Sequence, residues 1–459
     1  MKYSLRMTEI QHAALRAHLF PGDGKEAVAV LFCGRRKGEA KHVFTVQRVV
    51  PIPHEICDRR PDRITWPTDI VEALLRETFG KEQAIVKVHS HPIEYRRFSE
   101  LDDRSDRDLF SSITGFLNDE LPHASVIMLP NGELFGRILG DEGKVMGPLE
   151  SIMVVGHDLR IWQERRVETV EGFALRHAQA FGSGTTNILR TLSIAIVGCS
   201  GTGSIVAEQL ARLGVGRLVL VDPDAVEDKN LNRILNSAKE DAYLARPKVN
   251  VLASAIARMG LNQDVLPLAM NLISPEAVRK IAECDIVIGC MDGAEGRHML
   301  NRLATFYVLP YFDVGVRLDA DGKGGIDSIA GAVHYLQPGL SSLLSRGSYD
   351  MKRVEAEEIR RTDSELYRRR VKEGYLRGVE EDRPAVISVN MFFAALAVNE
   401  LLARLHPYRN LPNEHFACVR GSLSEVQFYP EEETAPCTVL QRHVGRGDVV
   451  PLLDRPALS

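Results

Sequence analysis

The sequence predicts an α/β chain in two parts, an N-terminal α+β region followed by a doubly wound parallel sheet. Three observations carry this. Up to about residue 150, apolar strands and amphipathic helices are interspersed without strict order. From Leu192 onward, continuous apolar strands and helices alternate strictly, the pattern of a parallel sheet covered on both faces. Ile194 to Ser204 runs as strand, glycine-rich turn and helix start. The resulting division is a first domain at 1–150, a linker at 151–175, a second domain at 176–407 with a charged insert at 346–383, and a small C-terminal tail region at 408–459.

Taken in order, the first part reads as a helix (Thr8 to Leu19), strands (Ala27 to Cys33, Val43 to Ile52), a helix (Pro67 to Phe79) and a strand (Ala84 to Val88). A charged amphipathic helix from Ser99 to Leu117 and strands at Ala124 to Met128 and Glu133 to Ile138 follow. The second part reads as strands Ser193 to Val197, Arg217 to Val221, Val265 to Pro267 and Asp285 to Gly289. Helices are expected at Ile205 to Leu213, Pro247 to Met259 and Pro275 to Glu283. Arg346 to Arg383 carries nearly balanced charge and reads as a solvated helical excursion. Ile387 to Leu405 returns to helical periodicity, and short strands and loops close the chain.

Composition narrows the function. The 459 residues are 44% hydrophobic and 26% charged, ordinary for a globular chain. A net charge of −5 argues against general nucleic-acid binding. Apolar runs such as Ala27 to Cys33 fall short of a membrane span, and Met1 to Thr8 lacks a signal-peptide core. Seven cysteines with no Cys-x-x-Cys pair indicate neither a disulfide framework nor a thiolate zinc knuckle, and a reduced, cytoplasmic protein is expected.

Two constellations carry chemistry. The first is His89-x-His91, then Ser99 and Asp102. Histidines at i and i+2 on a strand point the same way, and an aspartate in the first turn of the next helix can meet them. Two imidazoles and one carboxylate leave one position of a tetrahedral zinc open for water, whose pKa the metal lowers. Ser99 with Asp102 also fits a plain helix cap.

With Glu26 on an upstream strand, this spacing resembles the JAMM (MPN-plus, JAB) metalloprotease family over about residues 8–145. The resemblance implies a zinc (iso)peptidase acting behind the C-terminal glycine of a ubiquitin-like protein. His89, His91 and Asp102 would be zinc ligands, Glu26 the general base and Ser99 a support for the developing oxyanion.

The second constellation is the loop Gly198-Cys199-Ser200-Gly201-Thr202-Gly203, with Asp222 ending the next strand. The turn lets backbone N–H groups approach a phosphate, and up to this point a nicotinamide site fits equally. Arg233, Lys248 and Asp292 favour a triphosphate with magnesium.

Asp222, Asp224, Asn230, Arg233, Lys248 and Asp292 fall in the order of the ThiF/MoeB/HesA and ubiquitin-activating adenylating enzymes. The resemblance covers about residues 170–405. It implies ATP and Mg²⁺, attack of a small protein's C-terminal carboxylate on the α-phosphorus, and catalysis by positioning and charge neutralisation through Arg233, Lys248 and Asp292. Arg176 matches the arginine that reaches the partner's nucleotide in homodimeric members, which implies a homodimer through this domain. Ser200 departs from the family's Gly-x-Gly-Gly-x-Gly loop.

No cysteine occurs from 291 to 417. Three readings stand: the chain only adenylates and passes the product to a separate conjugating enzyme carrying a cysteine, Cys418 or Cys437 serves as nucleophile, or serines 341, 342 and 345 stand in for cysteines. Together the resemblances imply a bifunctional enzyme of a bacterial ubiquitin-like pathway, of the kind found in antiviral operons. Sulfur-carrier activation and a non-catalytic binding scaffold are the alternatives. Neither nucleic acid nor membrane is an expected partner.

Overall fold

Thr8 ends one element and starts the next. Its hydroxyl accepts the Gln11 N–H at 3.2 Å and its own N–H donates to Gln11 Oε1 at 2.8 Å, a capping box that turns strand β1 (Lys2–Thr8) directly into helix α1 (Glu9–Leu19). The computed structural model describes every residue except 79, 119, 165–171, 322, 324 and 374–384. Parts of the expected linker and of the charged insert, and the last residue of the helix expected at Pro67 to Phe79, lie outside the described residues.

The chain forms two compact units. One comprises Met1–Arg166 with the separate stretches Phe306–Val308 and His443–Val449, and the other takes the remainder. In the first, α1 is followed by β2 (Val28–Lys37), β3 (Lys41–Pro51), the short pair β4 (Asp58–Arg60) and β5 (Arg63–Thr65), and α2 (Asp69–Thr78). Then come β6 (Ala84–Ser90), α3 (Glu100–Leu117), β7 (His123–Met128), β8 (Leu134–Leu139), β9 (Val145–Pro148), β10 (Ser151–Val155) and β11 (Leu159–Gln163). All strands but β4 and β5 join one sheet in the order β11-β10-β1-β3-β2-β6-β7-β8-β9.

Its central strands are buried on both faces, which is why Ala27 to Cys33 is apolar without alternation. Leu31, Phe44 and Val86 pack with Leu15 and Leu19 of α1, whereas Val30, Phe32 and Ile85 pack with Leu75 of α2 and with Phe110 and Ile113 of α3. One expectation is corrected here. β10 and β11 occupy what was read as the start of a linker, because β10 pairs in parallel with β1, a strand the sequence reading did not identify.

The second unit begins with α4 (Leu175–Thr191), β12 (Ser193–Val197), α5 (Gly201–Arg212), β13 (Arg217–Val221), α6 (Lys239–Tyr243), α7 (Lys248–Met259) and β14 (Asp264–Leu268). It continues through α8 (Pro275–Glu283), β15 (Ile286–Gly289), α9 (Ala294–Tyr307), β16 (Tyr311–Ala320) and β17 (Ile326–Leu336). Helices α10 (Met351–Thr362), α11 (Ser364–Lys372) and α12 (Ile387–Leu405) precede β18 (Cys418–Ser422) and β19 (Gln427–Glu431).

The sheet order is β14-β13-β12-β15-β16-β17-β18-β19. β14 to β16 are parallel and the last four strands pair antiparallel. The order reverses between β12 and β15, the switch point where doubly wound sheets bind ligands beyond their strand ends. β18 and β19 are short strands of the kind expected near the end of the chain, and they join this sheet where a small separate tail region was expected. α12 is long and apolar enough to cross a membrane by length and composition, at mean hydropathy 1.3, although Asn390, Asn399, Glu400 and Arg404 interrupt its apolar run. Most of it is buried, with Phe393, Ala397 and Leu401 fully covered in this unit's core.

Candidate functional site

Strand β6 and helix α3 assemble the first constellation. His89 lies on β6 opposite Val28, and the Ser90 N–H donates to Ala27 O at 3.0 Å, so the antiparallel register carries on to set Glu26 across from His91. α3 delivers Asp102 from its first turn. Ligand atoms of His89, His91 and Asp102 all lie within 4.8 Å of one another. His89 Nε2 is 3.1 Å from Asp102 Oδ1. Yet neither ring nitrogen of this buried imidazole makes a directed hydrogen bond. A buried nitrogen pair with no hydrogen-bond partner, beside a second histidine and a carboxylate, fits a zinc ion's N, N, O donor set.

The charge states suit the same role. Burial holds His89 below its ordinary pKa, so the ring is neutral and its lone pair available. Burial alone would raise Asp102, but His89 and the Ser99 hydrogen bonds outweigh it and keep the carboxylate well below the usual range. A proton on His91 Nδ1 is donated to Tyr95 O at 2.7 Å, which fixes the tautomer and leaves Nε2 free for a metal. Glu26 is 7% exposed, and burial, with the Asp102 and Asp62 carboxylates, pushes it up to about 8. A carboxyl tuned in that direction is suited to taking and returning a proton near neutrality.

Ser99 is exposed and N-caps α3. Its hydroxyl donates to Asp102 Oδ2 at 2.7 Å and accepts the Asp102 N–H at 3.2 Å. The capping role the sequence allowed is therefore the observed one, and through it Ser99 orients Asp102. One turn further, Asp106 pairs with Lys87 of β6 and, at 2.7 Å, with Arg137 of β8, which also pairs with Asp103. This buried ionic cluster, unsignalled in the motif, pins the first turns of α3 to the sheet.

The second constellation surrounds a cavity of about 730 Å³ at the switch point of the other unit. Gly198, Gly201, Asp222, Asp224, Asn230, Arg233, Lys248 and Asp292 line it, as does Ser200. Gly203 and Arg176 do not. Gly203 is a packing position, since a Cβ there would stand 1.8 Å from Gly198 O. Gly198 needs its φ of +90°. Ser200 has φ −90°, outside the left-handed region that favours glycine, so the departure from the family loop forgoes no positive φ. Arg176 is exposed on α4.

Asp222 is held by two backbone donors, Cys199 N–H at 2.7 Å and Asp224 N–H at 2.9 Å. Burial raises its pKa against the opposing pull of Lys248. Asn230 Oδ1 accepts the Glu227 N–H at 3.1 Å, shaping the turn that presents Arg233. Arg297, five residues beyond Asp292, pairs with buried Asp313 at 3.2 Å.

The charged insert also needs correction. Arg353, Glu357, Arg360 and Arg361 of α10 line the cavity, so this helix is a wall of the site rather than a solvated excursion alone. The reading missed it because a charged stripe looks the same whether it faces water or phosphate. Neither Cys418 nor Cys437 lines the cavity, and burial pushes the Cys418 thiol up to about 12. The serines at Cys-like spacing satisfy each other, with Ser342 N–H donating to Ser345 Oγ at 2.9 Å and Ser345 N–H to Ser342 Oγ at 3.2 Å.

Comparison with known proteins follows this division. Residues 8–136 match the model for prokaryotic homologs of the JAB domain, and residues 174–435 match the ThiF family model. The adenylyltransferase and sulfurtransferase MOCS3 of Danio rerio is 35% identical over 114 residues, 25% of this chain and 24% of the relative. Ubiquitin-like modifier-activating enzyme 5 of Culex quinquefasciatus is 29% identical over 163 residues, 33% of this chain and 38% of the relative. The chain thus spans well under half of either relative's length. Among solved structures, Escherichia coli MccB with ATP aligns at TM-score 0.44 and 17% identity, over 59% of this chain and 74% of that one.

Proposed function

We propose that this chain, which belongs to the ThiF family, is an ATP-dependent adenylating enzyme whose N-terminal, JAB-type domain is a zinc-dependent hydrolase acting on the same kind of protein tail. The observation that carries the reading is the convergence of Gly198, Asp222, Asn230, Arg233, Lys248 and Asp292 on one cavity at the switch point. The α5 N-terminus and the loop N–H groups suit phosphate, and Asp222 suits a ribose hydroxyl. Asp292, exposed on the cavity wall, is a carboxylate available to a magnesium ion on the phosphates.

The acceptor is the C-terminal carboxylate of a small protein ending in glycine. Its oxygen bonds to the α-phosphorus, the bond from that phosphorus to the bridging oxygen breaks, and pyrophosphate leaves with the electron pair. Arg233 and Lys248 neutralise the phosphate charge and hold the acceptor in line. In the other unit, His89, His91 and Asp102 would hold zinc. Bound there, zinc supplies a water acidic enough to attack a carbonyl at neutral pH. Glu26 takes and returns the proton, and Ser99 keeps Asp102 in place.

The buried thiols outside the cavity favour transfer of the adenylate to a separate enzyme's cysteine. The sulfurtransferase relative favours a second reading, in which the adenylate becomes a thiocarboxylate. Incubating the full chain with ATP, magnesium and a small protein ending in glycine tests the first half. Pyrophosphate release is expected, and no nucleotide-dependent product with any such protein overturns it. Cleavage of a tail-extended substrate that survives Glu26→Ala overturns the hydrolase half. Isopeptide product against thiocarboxylate, read by mass, separates the two fates.

A further inference from the structure

Helix α9 starts without a cap of its own. The Arg297 N–H donates to Gly293 O at 3.3 Å, so Gly293 is the residue on which the helix opens. A helix start leaves backbone N–H groups unanswered, and a serine, threonine, aspartate or asparagine at that place would meet one of them. Glycine has no side chain to do so. Glu357 of α10 supplies the acceptor instead. Its Oε2 accepts the Glu295 N–H at 2.9 Å, and Glu295 is the second residue of the helix, a donor that a cap side chain ordinarily meets. A Cβ on Gly293 would stand 3.0 Å from that oxygen, so the glycine leaves the carboxylate its room.

The two helices are joined a second time. Arg361 Nη2 donates to Glu295 Oε1 at 2.8 Å, and Arg361 Nε lies 3.1 Å from both oxygens of the same carboxylate. Arg353 Nε donates to Glu357 Oε1 at 3.2 Å, so each oxygen of Glu357 meets a donor within the protein. Asp292, Gly293, Glu295 and Glu357 all line the nucleotide cavity. Asp292 immediately precedes the helix start. Among the described residues, no hydrogen bond or ion pair fixes its side chain. Its place on the cavity wall is therefore set by the backbone of the turn, which runs straight into the helix start that Glu357 holds.

We propose, on the adenylating reading above, that Glu357 is a positioning residue. It caps α9 in place of the side chain that Gly293 lacks, and so fixes the turn that presents Asp292 to magnesium on the nucleotide's phosphates. Glu357 acts through the place of that one carboxylate.

The test is calorimetric titration of the full chain with ATP, in magnesium and in its absence, and with AMP. The quantity read is the gain in ATP affinity that magnesium brings. Glu357→Ala should lower that gain about fivefold, the size of a lost helix cap, with AMP and metal-free ATP within about twofold of wild type. Glu357→Gln keeps an acceptor oxygen and should keep most of the gain. Glu357→Ala/Gly293→Ser puts a hydroxyl on the helix start itself, in the room the carboxylate vacates, and should restore it. In an Asp292→Asn chain, which lacks the gain, Glu357→Ala should cost nothing more. An undiminished gain in Glu357→Ala overturns the proposal. Weakening of AMP and metal-free ATP to the same degree also overturns it, because that is a general loosening of the cavity. A further loss on the Asp292→Asn background overturns it too, since Glu357 would then act by another route. A wild-type chain that binds no ATP overturns the adenylating reading itself.

Discussion

Lys248 Nζ stands 2.8 Å from Asp224 Oδ2 and 3.8 Å from Asp222 Oδ1, so one buried ammonium answers two carboxylates of different exposure. Asp222 is 6% exposed and Asp224 is 63% exposed. Lys248→Met leaves Asp222 buried without its cation, at an expected cost of about 3 kcal/mol. Denaturant unfolding should show that loss, and ATP affinity should fall with it. Lys248→Met/Asp222→Asn should lose less than the sum of the two single changes.

The His89, His91 and Asp102 cluster predicts zinc content. The wild-type chain should hold one zinc, and His89→Ala, His91→Ala or Asp102→Ala should each bind it roughly a hundredfold or more weaker, measured by competition with a chelator. Ser99→Ala should act more mildly, because it removes only the hydroxyl that orients Asp102. Full zinc affinity in Asp102→Ala would remove that residue from the ligand set.

The cluster beneath α3 predicts a pH dependence. Burial pushes the Asp106 carboxyl upward, but Lys87 and Arg137 more than offset it and the net shift is downward. The unfolded chain therefore takes up this proton at higher pH than the folded one. The contribution is complete above the ordinary carboxylate range and is lost as pH falls through the folded value. Asp106→Asn should cost about 3–5 kcal/mol at neutral pH and draw closer to wild type in acid, by urea unfolding at each pH.

Ser200 predicts a neutral change. Its φ of −90° needs no glycine, so Ser200→Gly should leave ATP affinity unchanged within about twofold while lowering stability by roughly 0.5–1 kcal/mol through added freedom in the unfolded chain. Gly203→Ala should disrupt the loop, because its Cβ would collide with Gly198 O.

Arg176 is exposed and outside its own subunit's cavity. If it serves a second copy, mixing inactive Arg176→Ala and Lys248→Met chains should restore roughly a quarter of wild-type turnover through hybrid dimers. No recovery on mixing would contradict the shared site.

What the sequence disclosed was mostly local. His89, His91, Ser99 and Asp102 fall on one strand end and the next helix start, so spacing alone brings them together. Glu26 needed a resemblance, because its place depends on β2 pairing with β6. The glycine loop and Asp222 were equally legible, since a strand, tight turn and helix are contiguous. Strands β1 and β10 escaped notice because their pairing joins the two ends of a unit, and Ser151 to Val155 alone cannot reveal its partner. Arg353 and Arg360 escaped for another reason. A helix's charged stripe records its period but not what it faces, and only the contact of α10 with Glu295 turns it toward the cavity.

The most direct test of the adenylating account is where ATP is cut. The full chain, magnesium and a small protein ending in glycine would be incubated with ATP labelled at the α- or the γ-phosphorus. The account predicts α-label on the protein's carboxylate or in AMP, with γ-label in pyrophosphate. Label appearing instead as ADP and inorganic phosphate would contradict it.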